Sequence, residues 1–281
     1  MEGKMRYNVR VDNEQCVCRQ RQIDCLQANL AMAADIGRSP RVRKRELPNA
    51  HCRQEDRRKN MTNREMLSHV DHTLLKPYAK WEDIVKLCDE AVKYGTASVC
   101  VPPAYIKRIH DAYNDQVNIC TVVGFPLGYS VTKAKVAEVE QALADGANEI
   151  DMVVNISDVK NHEYAKVEEE IKTLKKACGE HILKVIIETC FLTEEEKIAM
   201  CEAVTNAGAD FIKTSTGFGT GGATLEDVRL FKKHIGSNVR IKAAGGVKTR
   251  EDLEAFLQEG CERIGTSSAV GILNGEAAKG Y

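Results

Sequence analysis

Three lysines and one aspartate stand inside short apolar runs, where ions are seldom placed. They are Lys213 in "DFIKTST", Lys242 in "VRIKAAGG", Lys184 in "ILKVIIET" and Asp151 in "NEIDMVVN". Lysine is among the residues least often fully buried, and removing an ion from water commonly costs more than its pairing returns. One such lysine would read as a structural ion pair, but three with one carboxyl group point to chemistry. A free lysine, with a pKa of about 10.4, is almost wholly protonated near neutral pH and cannot attack a carbonyl. Lowering that value by about three units takes roughly 4 kcal/mol. A second ammonium group about 4 Å away, at an effective dielectric near 20, supplies energy of that order, and desolvation acts in the same direction. The expected chemistry is a Schiff base formed by Lys213, with Lys242 on the neighbouring strand holding its amine neutral.

The elements that must position these groups follow from hydropathy. From Met61 onward, apolar runs of strand length alternate with helical patterns, the signature of repeated βα units around a parallel sheet. Eight strands are expected to begin near Val70, Ser98, Asn118, Glu149, Leu183, Phe211, Arg240 and Arg263, seven of them followed by a helix-compatible segment. About 220 residues suit a compact (β/α)8 TIM barrel. Thr193-x-x-Glu196 is a capping-box pattern, and Thr224-x-x-Asp227 and Thr249-x-x-Asp252 are weaker versions.

Four segments align on a helix-ending glycine: "YGTASVCVP", "DGANEIDMVV", "AGADFIKTST" and "EGCERIGTSS", with Gly95, Gly146, Gly208 and Gly260. Four residues later, Val99, Ile150, Ile212 and Ile264 suit the face toward the outer helices. The next residues, Cys100, Asp151, Lys213 and Gly265, then point into the barrel. These belong to alternate strands, which contribute a shared interior layer, so Asp151 and Lys213 are expected together. In the same way Leu183, Val185 and Ile187 face outward and Lys184 inward, while Ile241 faces outward and Lys242 inward. "AAGGV" and "GTSS" follow strands 7 and 8, where such barrels often bind phosphate through backbone N–H groups. "TSTGFGTGG" after strand 6 adds hydroxyls, Thr216 among them, and flexible glycines.

Composition bounds the rest. The 281 residues carry 40 Lys and Arg against 41 Asp and Glu, but residues 1–60 hold 14 against 8 and the remainder 26 against 33. The first 60 residues, with "RVRKRELPNAHCRQEDRRKN", lack sustained apolar periodicity and read as a disordered, solvated, basic extension rather than a nucleic-acid or membrane-binding segment. Residues 61–281 read as the catalytic domain, and Met61 itself could serve as a start. No apolar run of about 18 residues and no secretory h-region is present, so a cytoplasmic protein is expected. The eleven cysteines form no C-x-x-C pair and read as reduced thiols. Cys16, Cys18, His51 and Cys52 fit no common zinc spacing, and no metal or other cofactor is expected.

At these residues the chain closely resembles the deoxyribose-phosphate aldolase family, from about Leu67 to Tyr281. The carriers are "DHTLLKP", "SVCVPP", "VVGFPLG", "NEIDMVVN", "LKVIIET", "DFIKTSTGFGTGGAT", "IKAAGGVKT" and "GTSSAVGIL", in that order. The resemblance implies a class I aldolase that reversibly cleaves 2-deoxy-D-ribose 5-phosphate to D-glyceraldehyde 3-phosphate and acetaldehyde. Lys213 would form the Schiff base, Lys242 would perturb it, and Asp151 would shuttle protons through water. Lys184, Thr216, Gly217, Gly245, Gly246, Gly265, Ser267 and Ser268 would serve the sugar phosphate. Phe218 stands where some relatives have a basic residue, which shifts phosphate affinity toward backbone N–H groups. Family members often end in a tyrosine that helps move a proton, a role that would fall to Tyr281. The expected partner is a small sugar phosphate, with no nucleic acid or membrane, and a homo-oligomer is compatible with the sequence. The rivals are another lysine-dependent aldolase or isomerase on the same barrel, and a catalytically silent sugar-phosphate sensor.

Overall fold

The computed structural model describes residues 61–275. The expectations for residues 1–60, for their cysteines and for Tyr281 lie outside the described residues. Eight short parallel strands close on themselves in chain order, β1 pairing with both β2 and β8. They are β1 (Val70–Thr73), β2 (Ser98–Val101), β3 (Ile119–Val123), β4 (Glu149–Val153), β5 (Ile182–Ile186), β6 (Phe211–Lys213), β7 (Arg240–Ala244) and β8 (Arg263–Thr266). Every start lies within one residue of its expected place. The fold is the (β/α)8 TIM barrel.

Strand alternation divides the core in two. Val99, Ile150, Ile212 and Ile264 are fully buried in the shell between barrel and helices, together with Leu183, Val185, Ile187 and Ile241. The inward side carries Cys100, Cys120 and Val122, which pack with Leu75 and Phe125 as a separate apolar cluster. Phe211 is also fully buried. It has the guanidinium groups of Arg240 and Arg263 at 4.1 and 5.9 Å from its ring centroid. One end of the barrel interior is thus filled by an aromatic ring.

The helices explain themselves locally. In α1 (Trp81–Tyr94), Ile84, Leu87, Cys88 and Ala91 fall on one stripe and are buried, and Gly95 ends the helix at φ 70°, where a side chain would be strained. Thr193 makes the full capping box with Glu196 at the start of α2 (Glu194–Asn206). Thr249 does the same with Asp252 for α3 (Arg250–Glu259). Thr224 accepts only the Asp227 N–H at the start of Leu225–His234. Among the described residues no helix is long and apolar enough to cross a membrane.

Candidate active site

Lys213 closes β6, and the pairing of β6 with β7 sets it directly beside Lys242. Asp151 on β4 is in register with Lys184 on β5. All four side chains then converge. The Lys213 Nζ donates to Asp151 Oδ2 at 2.8 Å, and the Lys242 Nζ donates to the same oxygen at 2.6 Å. The two amines are therefore no farther apart than those distances laid end to end, 5.4 Å. Lys184 takes the other oxygen, Oδ1, at 3.0 Å, which also accepts the Cys120 thiol at 3.2 Å.

Beneath this group the structure adds three charges that the sequence reading did not assign. Asp71 pairs with Lys242, with Lys184 at 3.5 Å and with Arg263 at 2.7 Å. Glu149 takes Lys184 at 2.5 Å and Arg263 at 3.1 Å. A signal was available, because Glu149 lies two residues before Asp151 and Arg263 two before Gly265, on the same faces of their strands. Lys184 is fully buried and belongs to this ladder of charges, on the inward face where strand alternation was expected to put it.

The ladder fixes most of its own protonation. Burial alone would raise the carboxyl pKa of Asp71 and Asp151. The surrounding cations, Lys184 first in each case, outweigh it and hold both acids well below the usual carboxylate range. Burial alone would likewise depress Lys184 and Lys242, but Asp151 and Asp71 outweigh it and push both ammonium groups above the ordinary lysine value. Lys242 therefore stays charged, as a perturbing cation must. Among the described residues, the cluster's Lys184, Lys213, Lys242 and Arg263 face only Asp71, Glu149 and Asp151. One cation is in surplus. Lys213 is the amine with a single acidic partner, and that partner is shared.

Two sets of side chains bring metal-ligating atoms together, Cys100 with Cys120 and Asp151, and Asp71 with Cys120 and Glu149. Their carboxyl oxygens already face ammonium or guanidinium groups, an environment that repels a further cation.

The loops after β6 and β7 meet above the ladder. Gly217, Gly245 and Gly246 have φ of 87°, 76° and 79°, a region that suits glycine. The Ala223 N–H donates to the carbonyls of Ala244 and Gly245 at 3.1 and 3.2 Å. A Cβ on Gly222 would lie 2.5 Å from the Gly245 carbonyl carbon. The structure thus brings Gly217, Gly245 and Gly246 together. Ser267 and Ser268, after β8, line a cavity of about 360 Å³ with His72, Thr73 and Lys76. Gly265 serves differently, since a Cβ there would stand 3.2 Å from Lys242 Cε. It makes room for the Lys242 stem. Thr216 is buried and bonds to Glu188, a residue the sequence reading did not assign. Phe218 is half exposed, with its ring edge-on to Phe125 at 5.3 Å.

Comparison with known proteins identifies the family. Residues 62–278 fit the family model described as DeoC/LacD family aldolase. A deoxyribose-phosphate aldolase of Clostridium botulinum (strain Alaska E43 / Type E3) is 72% identical over 221 residues, which are 79% of this chain and 100% of that relative. One from Clostridioides difficile (strain 630) is 58% identical over 216 residues, 77% of this chain and 99% of the relative. Among solved structures, the tetrameric deoxyribose phosphate aldolase from Aeropyrum pernix superposes with a TM-score of 0.72 at 31% identity, covering 81% of this chain and 97% of that one.

Proposed function

The chain belongs to the DeoC/LacD aldolase family, and on that premise we propose that Lys213 is the Schiff-base amine of its reaction. The enzyme reversibly cleaves 2-deoxy-D-ribose 5-phosphate to D-glyceraldehyde 3-phosphate and acetaldehyde. The observation that carries the assignment is that Lys213 and Lys242 share one oxygen of Asp151 within a cluster one cation in surplus.

The neutral Lys213 amine attacks the aldehyde carbon C1 of the open-chain sugar, and the carbinolamine hydroxyl takes up a proton from solvent and leaves as water, which gives a protonated Schiff base. That iminium carries the one positive charge the amine had given up, so Asp151, already placed beside Lys213 Nζ, stabilises the new cation without rearrangement. Asp151, acting through water, takes the proton of the C3 hydroxyl. The C2–C3 bond breaks, C3 becomes the aldehyde of glyceraldehyde 3-phosphate, and the bonding pair moves to the iminium to leave an enamine. Protonation of the enamine carbon, for which Tyr281 is the proposed donor, and hydrolysis release acetaldehyde and restore Lys213. Gly217, Gly245, Gly246, Ser267 and Ser268 hold the phosphate through backbone N–H groups and hydroxyls.

Residues 61–281 form the catalytic domain, acting in the cytoplasm. The tetramer described for the Aeropyrum pernix relative supports a homo-oligomer here too. The test is borohydride trapping with 2-deoxy-D-ribose 5-phosphate: wild type gains a reduced adduct on Lys213, while Lys213→Ala gains none and loses cleavage by at least about a thousandfold. Near-normal turnover in Lys213→Ala excludes the assignment.

A further inference from the structure

Glu188 is a buried acid that the charge ladder does not use. It follows β5 in "VIIET", is 3% exposed, and makes no ion pair among the described residues. Its backbone, at φ 52° and ψ 67°, lies in the left-handed region, where a residue with a Cβ is strained. Strand alternation would aim this side chain into the barrel. The left-handed turn sends it to the loop after β6 instead, while the ladder continues on either side through the Ile187 N–H to the Lys213 carbonyl (3.1 Å) and the Thr189 N–H to the Thr214 carbonyl (2.9 Å).

What Glu188 meets there is a turn. The Thr216 N–H donates to its two carboxyl oxygens at 3.3 and 3.2 Å, and the Thr216 hydroxyl donates to Oε2. The Thr216 Oγ1 in turn accepts the Phe218 N–H at 3.0 Å. A Cβ on Gly219 would lie 3.0 Å from Glu188 Cδ and 2.9 Å from Cys190 Sγ, so the turn is packed directly on this acid. The residues on either side of Gly217 are thereby tied, directly or through one hydroxyl, to a single buried carboxyl group. The Glu188 carboxyl group has acceptor sites for both Thr216 donors at once.

We propose that Glu188 is a positioning residue for phosphate recognition: it holds the turn Thr216–Phe218 so that the Gly217 backbone faces the phosphate-bearing end of the substrate. The inference rests on the assignment of Gly217 to the phosphate site. It is tested by measuring kcat/KM for 2-deoxy-D-ribose 5-phosphate and for unphosphorylated 2-deoxy-D-ribose. Glu188→Ala should lower kcat/KM for the phosphorylated sugar about tenfold or more, mostly through KM, and change the unphosphorylated sugar by less than about twofold. Borohydride trapping with acetaldehyde, which carries no phosphate, should be unchanged. Glu188→Gln, whose carbonyl still accepts the Thr216 N–H, should recover most of the loss. Gly219→Ala, whose Cβ would stand 3.0 Å from Glu188 Cδ and so displaces the acid without removing it, should reproduce the selective loss and decides the matter if Glu188→Ala does not fold. Equal losses on both sugars, or no loss on the phosphorylated one, overturn the proposal. A wild type with no preference for the phosphorylated sugar would remove the phosphate-site assignment itself, and this inference with it.

Discussion

Lys135 and Lys213 are both buried lysines, and their partners differ in the way the proposed role of Lys213 requires. Lys135 is fully buried, with Glu170 at 2.8 Å and the Val153 carbonyl at 2.9 Å, a one-to-one pair with no second cation on the same acid. Lys213 shares its acid with Lys242 and Lys184, the arrangement on which its proposed role rests. The role of Lys242 is tested by Lys242→Leu. Removing that cation frees Asp71 and Asp151 to act on Lys213 and favours the protonated amine. The limb of the kcat/KM profile that requires a neutral nucleophile should therefore move to higher pH, by about one unit or more. An unmoved limb in a still-active variant excludes the perturbing role.

The elements bring the two halves of the site into contact. β6 and β7 place the lysines side by side, and the loops that leave them must then cross at close range. Gly222 is where they touch, since an added Cβ would also stand 2.7 Å from the Gly245 carbonyl oxygen. Nothing there is a flexible side chain that could swing away. Gly222→Ala should force the two loops apart and raise KM for the phosphorylated sugar by about tenfold, while acetaldehyde trapping on Lys213 proceeds normally. A variant with unchanged KM would show that the loop contact does not shape the phosphate site.

For the molecule as a whole, the ladder couples stability to pH with a defined sign. Asp71 and Asp151 titrate lower in the folded chain than in the unfolded one. Their contribution is complete above the unfolded value of about 3.9 and drains away as pH falls through the folded values. Lys184 and Lys242 titrate higher when folded, so their contribution is complete below about 10.4 and is lost only as pH rises through the folded values. The part of the unfolding free energy that these two acids and two lysines contribute should therefore be nearly flat between about pH 4 and 10. Asp71→Asn should show a shallower fall between about pH 4 and 2 than wild type in urea titrations; equal slopes would remove Asp71 from the account. On the same scale, the Clostridium botulinum relative is matched over its full length by 221 residues of this chain. Deleting residues 1–60 should thus leave kcat/KM and Tm nearly unchanged, and a loss of either would assign the extension a part in the domain.

Sequence alone determined the order of the elements, the inward face of six of the eight strands and the amines that would share the interior, because these depend on a period of two along one strand and on glycines that end helices locally. The expected strand starts near Asn118 and Leu183 are displaced by one residue from Ile119 and Ile182, within ordinary fraying at element ends. Only the closed barrel decided which acid meets which amine. The stagger between strands is a property of the whole ring, and closure of β8 on β1 is what sets Arg263 and Asp71 together. Glu188 escaped the reading for the opposite reason: one left-handed residue breaks the alternation on which the inward and outward assignment rests, and its direction is settled by Thr216, 28 residues farther along the chain.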